Sequence, residues 1–210
     1  MFKIKEIRPN IFLMDFENGD DLAMHFLRYQ EYYESASPKY RGHAFELLDF
    51  MRWYANKYGG GCFTYTTDWG GFNIPGEIIF EVNEKGIPDP NKYDETMANI
   101  YKECHSKAEK FYLIGTVGED SSVVQHEIAH GFFYTKPEYK KEMEALVKEL
   151  PNDVRHSVAD VLKEMGYAPG VIVDEIQAYL STGILPKMRD AKSYRKPFVK
   201  TFERYYNLGL

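Results

Sequence analysis

The chain has 210 residues, 44% of them hydrophobic, and a formal net charge of -6, which fits one globular domain over residues 1–210 with a sizeable core. Charges of both signs are scattered without a basic stripe, so composition lends nothing to nucleic-acid binding, and no run approaches the ~20 apolar residues of a membrane span. The opening Met1-Phe2-Lys3-Ile4-Lys5-Glu6-Ile7-Arg8 lacks the unbroken apolar stretch of a secretory leader. Cys62 and Cys104 read as free thiols of a cytoplasmic protein, although delivery by a specialised secretion machine would leave no trace in the sequence.

In chain order, residues 10–16 predict a short strand and 21–34 a helix or irregular aromatic segment. Residues 39–58 predict a helix with Phe45, Leu48 and Trp53 at helical spacing, ended by Gly59-Gly60-Gly61. Two strands follow at 62–67 and 77–82, joined by a loop rich in turn formers at 68–76. Gly59-Gly60-Gly61 and Gly70-Gly71 are not followed by the Lys-Ser or Lys-Thr of a phosphate loop, so turn chemistry accounts for them. A helix at 92–108, a strand at 111–117 and a turn at 118–122 lead into the segment that carries the chemistry. The 17 Tyr, 14 Phe and 2 Trp make 16% of the chain and crowd into its first half, as expected of a core and cleft wall built from large flat side chains.

Residues 126–130 read His126-Glu127-Ile128-Ala129-His130. Histidines four apart on a helix share one face and can bind one metal ion, while Glu127 lies one position around, aimed at a metal-bound water. A shuffled chain of this composition would show the pattern roughly 0.02 times, so accident is a poor explanation. The competing reading is an ordinary amphipathic helix whose histidines pair with carboxylates. Against it, Val124, Ile128, Ala129 and Phe132 occupy one side and the polar trio the other, so one side packs and the other faces a cleft.

Catalytic zinc usually takes three protein ligands and keeps a fourth position for water. Residues 171–180 form a mostly apolar stretch that carries Asp174 and Glu175, and a carboxylate buried in such a run needs a partner or a metal. Neighbours on a helix point about 100° apart, so one acid at most takes the ligand role. Glu175, on the face of Ile172, Tyr179 and Thr182, is favoured, and Asp174 is left to hydrogen-bond a ligand histidine. Pro169-Gly170 places both acids in the first turns of that helix, where negative charge is also favoured for purely structural reasons. Between the two ligand helices lies a helical hairpin. Thr135-Lys136-Pro137-Glu138 reads as a capping box that starts a helix to about 150; a second helix runs from 151–153 to about 166, and a last covers 189–207.

His126, Glu127, His130 and Glu175 together resemble the gluzincins, zinc metallopeptidases with two motif histidines, a glutamate base and a third-ligand glutamate on a following helix. The resemblance spans about residues 123–183. The long step from His130 to Glu175 is most similar to the anthrax lethal factor type, and Tyr167 sits near where that type carries a catalytic tyrosine, one residue out of register. Where thermolysin-like members place a histidine-supporting Asp, this chain has Tyr179. The order of the predicted elements reads as a single α+β domain, with a small mixed sheet in the N-terminal half, a mostly helical C-terminal half and the cleft between them, and the resemblance implies that this fold is zincin-like.

The implied chemistry is hydrolysis. Zinc held by His126, His130 and Glu175 would lower the pKa of its water to about 7, and Glu127 would pass that water's proton to the leaving amine. The oxyanion donor is Tyr179, Tyr167 or His156. A peptide or protein is the expected substrate, and 111–117 or 77–82 are the candidate sheet edges to which an extended peptide would add. Hydrolysis of a non-peptide amide or ester, and a non-catalytic binding module, are the alternatives. Glu127 argues against the second, because a structural metal site needs no base.

Overall fold

The computed structural model describes residues 1–118 and 121–208. It divides into two compact units, Met1–Asp120 and Ser121–Leu210.

The first unit opens with strands β1 (Phe2–Arg8) and β2 (Ile11–Phe16). They pair antiparallel, with Phe2 opposite Phe16 and Ile4 opposite Met14. The tight reversal between them uses Asn10 at φ 69°, a left-handed conformation that asparagine tolerates better than most residues. Helix α1 (Gly19–Glu34) follows, capped by the Asn18 side chain on the Asp21 N–H. Next come α2 (Leu47–Lys57), the single turn α3 (Tyr65–Asp68), strand β3 (Gly71–Pro75) and helix α4 (Gly76–Lys85). Helix α5 (Lys92–Lys107), with a capping box between Asn91 and Asp94, leads to strand β4 (Tyr112–Val117).

The strands form one mixed sheet in the order β1-β2-β4-β3. β4 is parallel to β2 and antiparallel to β3, and its residues from Tyr112 to Thr116 are buried. The core is aromatic, as composition suggested: Tyr29, Tyr40, Tyr65, Phe12, Phe26, Phe50 and Phe111 are all but inaccessible. Many of these rings meet edge to face or tilted at 5–6 Å, for example Tyr40 and Phe50 at 5.1 Å and Phe12 and Phe111 at 5.8 Å, the separations aromatic pairs favour.

Several expectations are corrected in this unit. β1 was not expected. Residues 62–67 and 77–82 are not strands: the first holds the start of α3, and the second lies inside α4. There Ile78, Ile79 and Val82 are buried while Phe80 is 49% exposed, a helical division that a strand would not give, since Ile78, Phe80 and Val82 would then share a face. The supposed loop at 68–76 contains β3, and its Pro75 is tolerated because β3 bonds only to β4, at the sheet's edge. The helix expected at 39–58 begins at Leu47, whose N–H is taken by Asp89 Oδ2 at 3.0 Å. That carboxylate is held in turn by buried Arg28, whose Nη2 lies 2.8 Å from Oδ1. Neither candidate substrate edge survives, because β4 is paired on both sides and 77–82 is helical. The expected turn at 118–122 falls partly outside the described residues.

The second unit is helical. Helix α6 (Ser121–Thr135) is followed by α7 (Pro137–Glu149) and α8 (Asn152–Glu164). A 3-10 turn at Pro169–Val171 enters α9 (Ile172–Thr182), and a 3-10 stretch at Pro186–Tyr194 enters α10 (Arg195–Leu208). The capping box expected at Thr135 does not form: α7 takes Lys136 as its N-cap without a side-chain bond, and the Thr135 hydroxyl donates to the Gly131 carbonyl within α6. α9 is the hub, packed on α6, α7, α8 and α10. Its Ile172, Ile176, Ala178 and Leu180 are buried, and so are its polar Glu175, Gln177 and Ser181. Arg195 pins its C-terminus by donating to the Leu180 carbonyl at 3.0 Å, satisfying an end-of-helix acceptor with a cation where the dipole favours one. Among the described residues, no helix is long and apolar enough to cross a membrane.

Candidate metal centre

The site lies wholly within the second unit, where the later turns of α6 meet the first turns of α9. The step of four on α6 sets His126 and His130 side by side, ring centroids 4.9 Å apart. Glu175 on α9 reaches both, with Oε2 3.9 Å from His126 Nε2 and Oε1 3.6 Å from His130 Nε2. The two Nε2 atoms are 3.3 Å apart. One donor atom from each of the three side chains falls within 4.8 Å of the others, and among the described residues this is the one such group. Tetrahedral ligands about 2.0–2.2 Å from a metal ion stand roughly 3.3–3.6 Å from one another; two of the three separations lie in that span and the third, between His126 and Glu175, is slightly wider at 3.9 Å, so the group could hold a metal ion.

The chemistry of the donor set fits as well. His130 Nδ1 is 3.0 Å from Asp174 Oδ1, so it carries a proton and presents Nε2 to the centre. At His126, Nδ1 lies 3.2 Å from the Thr182 hydroxyl oxygen. That hydroxyl spends its proton on the Ala178 carbonyl at 2.8 Å, so it can only accept from the ring, and His126 also carries its proton on Nδ1. Both imidazoles therefore turn Nε2 toward Glu175, the tautomer a metal ligand requires.

Burial sets the charges. The side chains of His130 and Glu175 are 4% and 6% exposed, and that of His126 is 18% exposed. Burial, with repulsion from His130, pushes the His126 pKa down to about 3, so this ring is neutral. Burial alone would also lower His130, but Asp174, Glu175 and Glu127 together outweigh it and hold that ring well above its usual value. In the metal-free chain a proton on His130 thus takes the place of a cation between the rings.

The remaining expected residues divide. Glu127 is buried, and its charge is felt by His130, Tyr167 and Tyr179. Tyr179 tilts against His126 at 4.6 Å between centroids. Tyr167 joins it through a hydrogen bond between the two phenols. Burial and then the Glu175 charge raise Tyr167; burial likewise raises Tyr179. Both are neutral hydroxyls; the bond between them takes one of the two protons and leaves one free to donate outward. His156 is not brought in: it lies exposed on α8, and the oxyanion candidates reduce to Tyr167 and Tyr179. Asp174 takes the orienting position expected of it.

Sequence reasoning missed three residues: Thr182, Gln177 and Tyr139. Thr182 had a signal, because it shares the Glu175 face of α9. A lone amide in an apolar helix was a signal for Gln177. Tyr139, on α7, had none.

Comparison of the chain with protein-family models, with curated proteins and with solved structures finds no match.

Proposed function

We propose that this chain is a zinc-dependent hydrolase of the zincin kind, with zinc held by His126, His130 and Glu175, and that it cleaves peptide bonds. The observation that carries the reading is the convergence of two imidazole Nε2 atoms and one carboxylate, three donors rather than four among the described residues, beside a further buried carboxylate at Glu127. Three protein donors leave a coordination position open, the mark of a catalytic rather than a structural zinc site.

Zinc bound there would supply Lewis acidity, acidifying a water and polarising a carbonyl. Glu127, next to His126 in sequence and buried, takes a proton from the attacking water and returns it to the leaving amine. The neutral phenol of the Tyr167–Tyr179 pair whose proton is left free stabilises the carbonyl oxygen as it gains charge, with the other phenol holding it. Thr182 and Asp174 keep the histidine rings from turning. The peptide as substrate is supported by the resemblance of His126, Glu127, His130 and Glu175 to the gluzincin set. The two segments expected to receive an added strand give it no support, since β4 is paired on both sides and 77–82 is helical.

Glu127→Gln tests the reading, because it keeps shape and polarity but cannot take a proton. The variant should bind one zinc like the wild type while turnover of a peptide library drops by about 10²–10⁴. A wild-type protein that takes up no zinc would refute the metal centre, and a fully active Glu127→Gln would remove Glu127 from the chemistry.

A further inference from the structure

Gln177 is 0% exposed, and Tyr139 is 0% exposed. An amide enclosed so completely is costly unless its donors and acceptor are used, and here they are. Gln177 Oε1 accepts the Tyr139 hydroxyl at 2.8 Å. Nε2 donates to Asp174 Oδ1 at 2.8 Å and to the Ala129 carbonyl at 3.3 Å. These partners fix which end of the amide is which, since the phenol donates and the carboxylate and carbonyl accept.

Both groups that receive the Gln177 amide protons belong to the immediate surroundings of His130. Ala129 is the preceding residue on α6, and its carbonyl oxygen has a second lone pair to offer beyond the helical bond. Asp174 Oδ1 is the same oxygen that accepts from His130 Nδ1 at 3.0 Å. Gln177 therefore grips His130 at two places, through the backbone just before it and through the carboxylate that orients its ring. Tyr139, arriving from α7, holds the amide in that pose, and burial keeps its phenol protonated and donating.

We propose that Gln177, held by Tyr139, is a positioning residue for the metal ligand His130, acting through Asp174 and the Ala129 carbonyl. This rests on the reading that His126, His130 and Glu175 hold zinc. A three-helix polar bridge serving stability alone would have no reason to end on the oxygen that holds a ligand ring, and this one does.

The test is zinc affinity of the full chain, measured by competition with a chromogenic chelator, for wild type, Gln177→Leu, Asp174→Ala, the double variant and Tyr139→Phe. Gln177→Leu should weaken zinc binding about 10–100-fold, the loss usual when an outer partner of a ligand is removed. Because Gln177 acts mainly through Asp174, the double variant should bind within about three-fold of Asp174→Ala alone, as coupled residues in one network do. Tyr139→Phe, which deletes one oxygen, should cost about five-fold. Val158→Ala, a buried packing change on α8, should lower the melting temperature without moving zinc affinity.

Wild-type binding with Gln177→Leu within two-fold of it would overturn the proposal, as would losses that multiply in the double variant. Should Gln177→Leu fail to fold, Tyr139→Phe decides: unchanged zinc affinity overturns the proposal. Absence of zinc binding in the wild type would instead overturn the metal centre itself, so the two failures are distinct.

Discussion

Thr182→Val is the most direct probe of how the His126 ring is held. The change keeps the branched shape and removes the oxygen that accepts from Nδ1. The ring then retains a proton on Nδ1 in a side chain only 18% exposed, with little water to replace the lost partner. A buried donor left without an acceptor costs ~1–3 kcal/mol. The native contact is 3.2 Å, at the long end of the range for such bonds, so the lower half of that interval applies, ~1–2 kcal/mol. At about 1.4 kcal/mol per decade this is a 5–30-fold loss of zinc affinity, overlapping the ~10–100-fold typical of ligand-orienting partners. Chelator competition measures it, and thermal melting of the metal-free protein checks that the fold is intact. Thr182→Ser should restore most of the affinity, since it returns the oxygen. If Thr182→Val binds zinc within two-fold of wild type while melting normally, the hydroxyl does not set the ring.

Two further expectations concern protons. His130 is held above its usual value and His126 is at about 3, so zinc entering at pH 7 should expel one proton, from His130, and affinity should climb as pH rises toward the His130 value. Calorimetry in buffers of different ionisation heat reads the number, and a value of zero would contradict the charge assignment. In the metal-free protein the same raised value contributes stability that is present below the unfolded pKa of about 6.5 and lost as pH rises through the folded one. In the first unit, Glu31 is raised chiefly by burial, against bonds from Ser35 and Tyr65 that lower it. Its contribution is likewise present below the ordinary value of 4.5 and lost as pH rises. Glu31→Gln, still able to accept from the Tyr65 hydroxyl at 3.0 Å, should therefore melt above wild type at pH 7 and match it near pH 4. Equal melting temperatures at pH 7 would show the buried charge to be harmless.

The centre was more legible than the scaffold around it. Helical periodicity and side-chain chemistry suffice to bring His126, His130 and Glu175 to one point, because each sits on a helix whose pattern is written in nearby residues. The same local logic located α5, α7, α8, α9, β2 and β4 to within a few residues, and α1 forms where a helix or an irregular segment was expected. It failed where a partner distant in sequence decides. The start of α2 depends on Asp89, some forty residues downstream, and nothing at 39–46 announces it. β3 is five residues with Gly at one end and Pro at the other, a composition that reads as turn until β4 supplies its bonds. At 77–82 the β-branched run favours a strand by propensity, yet burial of Ile78, Ile79 and Val82 against the core makes a helix. In β1 the alternation of Phe2 and Ile4 with Lys3 and Lys5 was a strand signal left unused. The Tyr139 to Gln177 bond joins α7 to α9, and no window of sequence contains both.

The sheet has a consequence for the order in which the chain can be made. β2 is finished at Phe16, but its inner neighbour β4 begins only at Tyr112. At about 5–20 residues per second, roughly 5–20 s of synthesis pass before the ribosome delivers that neighbour. Throughout that interval Ile11, Phe12, Leu13 and Met14, all buried at the end, stand along an open edge of a two-stranded ribbon too small to be stable alone. Lys3, Lys5 and Arg8 lie on β1, which covers the opposite side of β2, so their charge guards the outer rim of the ribbon against other nascent strands and not the edge that awaits β4. The sheet of the first unit can therefore be completed only when β4, its last strand in sequence, arrives between β2 and β3.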